Sequence, residues 1–139
     1  MEEEDKQRLF QIKEKFMQTK NNEITLNGIV YIQKDSAQTP AQRLDGMEYC
    51  MVRTYSAGVF AGYIESRDGK EAVLRNARRI WHWAGATELC QLATEGTKKP
   101  DACKFPAPVD KVILTEVIEI IPITEKAQKS IAEVPVWEI

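Results

Sequence analysis

Apolar residues in the first twenty positions fall at Leu9, Ile12 and Phe16, with Phe10 and Met17 on the flanks, which is the spacing of one helix face. Acidic residues come early in this stretch and lysines late, as the helix dipole prefers, so the pattern predicts an amphipathic N-terminal helix. ITLNGIVYIQK, residues 24–34, is rich in β-branched side chains and is broken by Asn-Gly, which predicts two short strands in a hairpin. DSAQTPAQRLDG then reads as a polar loop.

From Glu48 the apolar pattern shortens to a period of two. EYCMVRTYS places Tyr49, Met51, Arg53 and Tyr55 on one face and Cys50, Val52 and Thr54 on the other. AGVFAGYIES and KEAVLRNARRIWHW flank Arg67-Asp68-Gly69-Lys70, and Asp-Gly between apolar runs predicts a hairpin. LRNARRIWHW, residues 74–83, reads as strand throughout, with Arg75, Arg79, Trp81 and Trp83 on one face and Leu74, Asn76, Arg78, Ile80 and His82 on the other. Helical spacing of Leu74, Arg78 and Trp81 is the alternative. ATELCQLATEG predicts a short helix with Leu89 and Leu92 inward, Thr87 near its cap and Gly96 at its end. After the proline-punctuated connection TKKPDACKFPAPVD come one long strand, KVILTEVIEIIPIT, a last helix opened by Thr124, and an extended tail, VPVWEI. This order predicts an α+β fold with a largely antiparallel sheet, an N-terminal helix, a short middle helix and a C-terminal helix. Residues 1–47 are expected to form a helix and hairpin extension, and 48–139 the α+β core domain, within a single globular unit.

Composition narrows the function. With 139 residues, 43% hydrophobic and 29% charged, the chain has the make-up of one folded domain. Its net charge of -2 and acidic isoelectric point argue against polymeric nucleic acid as a partner. Three cysteines without CxxC spacing and a single histidine, His82, make neither a recognisable metal site nor a disulfide framework. No apolar signal core or membrane-length run is present, so a reducing cytoplasmic setting, no membrane partner and no cofactor are expected.

Charge is unevenly placed. Residues 53–83 hold six cations and three anions, a local +3 that leaves -5 for the remainder, and five of the seven arginines lie there. Arginine's planar fork fits phosphate at two points. A solvated basic strand face is the plain alternative, and half-buried packing is the common fate of tryptophan.

Catalytic signatures are missing. Ser56 in TYSAGVF lacks the second glycine spacing of a nucleophile elbow, and Gly58 and Gly62 form neither a dinucleotide nor a triphosphate loop. Cys50 with His82 is conceivable across strands, but buried cysteines are usually inert. The expectation is a non-enzymatic binding protein with no catalytic residues. Arg53, Arg75, Arg78 and Arg79 would hold phosphate, Asn76 would read a base or ribose, and Phe60, Trp81 or Trp83 would stack on a ring. The terminal amphipathic pieces predict a homo-oligomer.

The block from Val52 to Val109, strongest in RTYSAGVFAG and LRNARRIWHWAGA, resembles a domain of unknown function found in small proteins of tailed phages and prophages. In size and in the kind of site needed, the chain is also similar to Thoeris anti-defence proteins, oligomeric sponges for cyclic ADP-ribose isomers and in some cases cyclic oligonucleotides. That resemblance implies a phage protein, acting in the infected bacterial host, that sequesters a signalling nucleotide to block antiviral defence. Two other classes stand beside it. One is a virion or assembly component whose Trp and Arg stripe forms an interface, and the other an inhibitor that binds a host defence protein directly.

Overall fold

The structure, a computed structural model, describes residues 23–26, 29–32 and 38–139. The chain divides into two units, residues 1–39 and 40–139. In the first, β1 (Glu23–Leu26) pairs antiparallel with β2 (Ile29–Ile32), Leu26 standing opposite Ile29, the two short paired strands that the sequence predicts.

The second unit is built on a five-stranded antiparallel sheet. β3 (Glu48–Thr54), β4 (Val59–Asp68), β5 (Glu71–Arg79) and β6 (Val109–Leu114) form a meander, and β7 (Val117–Pro122) returns to pair with β3, giving the order β6-β5-β4-β3-β7. The β4–β5 hairpin closes through Gly69 and Lys70, with Gly69 at φ 59° between the paired Asp68 and Glu71. Glycine at the first loop position is what a two-residue turn with one positive φ requires.

β6 and β7 are the two outer strands, yet only Thr115 and Glu116 separate them. Leu114 and Val117 are therefore at most about 11 Å apart, whereas the outer strands of a flat five-stranded sheet lie about 19 Å apart. The sheet must curl. Val117 N–H donates to the Lys70 carbonyl and Tyr55 N–H to that of Glu116, tying the β6–β7 corner to the ends of the other strands. The curl encloses a core made of strand residues alone, with Cys50, Val52, Phe60, Leu74, Ala77 and Leu114 all buried.

Two helices cover the opposite face. α1 (Leu89–Glu95) is capped by the Glu88 carboxylate, which accepts the Cys90 and Gln91 amides, so the capping residue is one beyond the expected Thr87. These two bonds hold the Glu88 carboxyl below its usual range. α2 (Glu125–Glu133) is opened by the Thr124 hydroxyl, as the sequence predicts. Leu89, Leu92 and Ile131 pack with Met51, Ile80 and Phe105 into a second core between helices and sheet.

The expected architecture is corrected in three places. The described fold is a five-stranded antiparallel sheet with two helices, both short, instead of an α+β layout with three helices; the helix expected at the N-terminus falls outside the described residues. The single strand expected over KVILTEVIEIIPIT breaks at Thr115-Glu116, because its two halves pair with opposite strands, β5 and β3. The strand expected to run through Trp83 ends at Arg79; Ile80 N–H still donates to the Val59 carbonyl of β4, and Trp81 and His82 then leave the sheet, both donating to Lys104. No helix among the described residues is long and apolar enough to cross a membrane.

Candidate functional site

A β-bulge decides where the arginines of β5 point. In β4, Gly62 alone lies between Ala61 and Tyr63, while their partners Arg78 and Arg75 are separated by Asn76 and Ala77. The extra residue is accommodated at Asn76, in the left-handed region at φ 50°, where asparagine is tolerated better than most residues. Glycine at position 62 lets the backbones close up: a Cβ there would lie 3.1 Å from Ala77 Cα. The bulge puts Leu74 and Ala77 on one face together, and it undoes the strict alternation that grouped Arg75 with Arg79.

Arg78 lies on the helix-bearing face and is only 7% exposed. Its guanidinium donates to four carbonyls, those of Pro106 at 3.0 Å, Ile131 at 2.7 Å, Phe105 at 3.2 Å and Val134 at 2.8 Å, and sits 5.5 Å from the Phe105 ring centre. Burial lowers its pKa, opposed by the nearby Tyr49. This side chain staples the end of α2 and the C-terminal segment to the sheet, and as placed it does not face Arg79 across a ligand.

Arg79 turns the other way. Its guanidinium rests 4.3 Å above the ring centre of the buried Phe60 and donates through Nη1 to the Ala57 carbonyl. The β3–β4 loop that supplies this carbonyl is shaped by Thr54, whose hydroxyl donates to the Gly58 carbonyl and accepts the Ala57 amide. Gly58 has φ 93°, and a Cβ on it would lie 3.3 Å from Arg79 Nη1, so glycine both makes the turn and leaves room for the guanidinium. Ser56, Ala57, Gly58 and Val59 on one side and Arg79, Ile80 and Trp81 on the other line an open cleft of about 650 Å³. No carboxylate pairs with Arg79 among the described residues.

Trp81 is 62% exposed and stacks on Trp137 of the tail, ring centres 6.2 Å apart and planes 13° from parallel. Lys104 Nζ lies 5.7 Å from the Trp137 ring, and Trp137 N–H donates to the Phe105 carbonyl, which fixes the tail beside the cleft. Trp137 is the residue that sequence reasoning missed. A tryptophan in an apolar terminal hexapeptide was the available signal.

The remaining expected residues are placed elsewhere. Arg53 is paired with Glu119 at 3.2 Å, and Arg75 with Glu65 at 3.2 Å and Asp110 at 3.3 Å, so two of the four arginines expected to hold phosphate already hold carboxylates. Trp83 is half-buried against the helix-side core. The structure thus brings Arg79 and Trp81 together in the cleft, buries Phe60 beneath Arg79 where its ring is not open to a ligand, and leaves Arg53, Arg75, Asn76, Arg78 and Trp83 out of the cleft. Cys50 is buried inside the curled sheet, where burial pushes its thiol up to about 11, with the Glu48 charge adding to the rise, while His82 is exposed and stands outside that core. Ser56 donates to Glu116 at 3.0 Å and has no histidine partner. No group of three or more metal-ligating side chains occurs among the described residues.

No curated protein and no solved structure shows significant similarity to the chain. A family model described as a domain of unknown function (DUF6948) matches residues 47–131, from the start of β3 to the last turns of α2. That span exceeds the 52–109 block of the expected resemblance at both ends, and the match carries no link to phages or to Thoeris sponges. Covering more than half of the sequence, it shows that the chain belongs to the DUF6948 family.

Proposed function

We propose that this chain is a non-enzymatic binding protein that takes a nucleotide-class ligand, an anion carrying a planar ring, in the cleft between the β3–β4 loop and Arg79–Trp81. One observation carries the reading: an arginine without a carboxylate partner among the described residues and a largely exposed indole line the same open cleft. Arg79 spends Nη1 on Ala57, and its Nε and Nη2 make no hydrogen bond among the described residues, which leaves donors for phosphate. Trp81 offers a stacking face, and the cleft volume falls in the range of small-molecule sites. Sequestration of a signalling nucleotide, such as a cyclic ADP-ribose isomer or a cyclic oligonucleotide, by a homo-oligomeric phage protein is the role in which such a site would act without catalysis.

Calorimetry against cyclic ADP-ribose, a cyclic dinucleotide and ADP tests this, beside mass spectrometry of small molecules released by heating the purified protein. Binding of an intact nucleotide that Arg79→Ala abolishes is the expected result. Release of a degraded nucleotide, or no binding by any of the three, overturns it. A second reading, a protein interface, is favoured by the exposed, stacked pair Trp81 and Trp137, since tryptophan is among the residue types most enriched at interface hot spots. Under that reading Trp81→Ala weakens association with a partner protein, while nucleotides leave the melting temperature unchanged.

A further inference from the structure

On the other face of the sheet, the end of α2 and the segment that follows leave a slot of about 250 Å³ that shares no residue with the Arg79 cleft. Its polar lining is Tyr49, Asn76 and Arg78, and the rest is largely apolar, from Pro108, Ile131 and Val134 among others. Three features converge on it. Arg78 is a buried cation with no carboxylate partner among the described residues, its charge offset by carbonyl dipoles alone. Four of its five N–H groups are used, which leaves one donor on Nη1. The Tyr49 hydroxyl and the Asn76 carboxamide make no hydrogen bond among the described residues, although the Tyr49 ring packs 4.9 Å from that of Tyr63 with planes tilted by 58°, and the Tyr63 hydroxyl accepts from Gln128.

We propose that this slot is a second binding site, for a small carboxylate with a compact apolar body, in which Tyr49, Asn76 and the spare Arg78 N–H donate to the carboxylate oxygens. A buried cation is costly unless an anion or a full set of acceptors compensates it, and here the acceptors are carbonyls that carry no net charge. Burial pushes the Tyr49 phenol up to about 12, so it stays protonated and remains a donor at neutral pH. The slot is smaller than the roughly 300–1,000 Å³ of drug-sized clefts, which limits the occupant to a single ring or a short chain. The bulge at Asn76 is the device that brings its carboxamide to the rim, since bulges recur where a strand must re-aim a side chain.

Titration of the full chain with benzoate, with benzamide as the neutral isostere, tests the proposal by nuclear magnetic resonance of the Asn76 side-chain amide and the Arg78 Nε–H. Saturable shifts in both signals with benzoate, and binding of benzamide weaker by about tenfold or more, are expected, because hydrogen bonds to an ionised acceptor are about twice as strong as neutral ones. Tyr49→Phe keeps the ring and removes one donor, so benzoate affinity should fall about 3- to 10-fold with the melting temperature held. Arg79→Ala should leave benzoate binding unchanged, which separates this site from the nucleotide cleft. Non-saturating shifts spread over the surface, equal binding of benzamide, or full affinity in Tyr49→Phe would each overturn it.

Discussion

Arg78 and Arg79 are neighbours in the chain and opposites in the fold. The first is enclosed by carbonyls of four residues from the connection before β6 and from α2 and the segment after it; the second lies over an aromatic ring at the edge of an open cleft. The same side chain spends four of its five N–H groups as a structural staple in one setting and keeps most of them available in the other. Alternation along a strand sends them to opposite faces, and only one of those faces has a helical layer with chain ends to tie down. A cluster of arginines in a sequence is therefore not one object: its members divide according to what each face must hold.

The contrast is broken most forcefully at Arg78. Arg78→Met keeps much of the volume and removes every donor, so several buried carbonyls lose their partners at about 1–3 kcal/mol each. A loss of about 3 kcal/mol or more in urea unfolding is expected, with partial rescue by Arg78→Lys, which has a compact ammonium instead of a fork. A loss below about 1 kcal/mol would mean that water satisfies the carbonyls and that the staple is dispensable.

The helical layer that Arg78 holds can also be loosened from its far end. Gly96 terminates α1 at φ 80°, and a Cβ there would lie 2.3 Å from Ser130 Cβ on α2. Gly96→Ala combines backbone strain with a direct clash, so a cost of about 2–3 kcal/mol is expected. Gly69→Ala is the control, because its φ is also positive but nothing lies within 4 Å of the added methyl. Thermal melts that lower both variants equally would refute the packing part of this argument.

These positions also show what was legible in the sequence. The Thr124 cap and the inward Leu89 and Leu92 follow from local chemistry and the fold uses them as read, while the hairpin expected at Asp68-Gly69 closes one residue later, through Gly69 and Lys70. What stayed hidden depends on pairing between distant strands. Nothing in KVILTEVIEI marks Thr115-Glu116 as a corner, because the break is imposed by two different pairing partners. Likewise the left-handed turn at Asn76 shifts the face of every residue beyond it, a change of register that a binary pattern does not encode. Of the candidate site, the arginine and indole at 79 and 81 were visible; the neutralisation of Arg53 and Arg75 by Glu119, Glu65 and Asp110 required the fold.

A smaller effect tests how the tail joins the two regions. Trp137 follows the segment that Arg78 staples and stacks on Trp81 beside the Arg79 cleft. A double-mutant cycle with Trp81→Ala and Trp137→Ala should give a coupling of about 0.5–1.5 kcal/mol, the range of aromatic pairs. Additive losses would show that the two indoles are neighbours without mutual stabilisation.

The smallest effect on stability is expected where the effect on binding is largest. Arg79→Ala removes a partly exposed guanidinium over Phe60 and one hydrogen bond to a loop carbonyl, so stability should fall by only about 0.5–1.5 kcal/mol. Arg75→Ala removes exposed ion pairs to Glu65 and Asp110 and should cost about as little, since surface pairs contribute roughly 0–1 kcal/mol. The two variants are thus matched in stability and separated by ligand. Loss of a charge-assisted contact worth roughly 1.5–3 kcal/mol predicts nucleotide binding about 10- to 150-fold weaker in Arg79→Ala and unchanged in Arg75→Ala. Arg78 cannot serve in this comparison, because its loss changes the fold before it changes the ligand. Calorimetry on the matched pair, each checked by its melting curve, isolates the cleft: equal affinity in both variants would return Arg79 to the same category as Arg75, a charge that the fold tolerates and the ligand ignores.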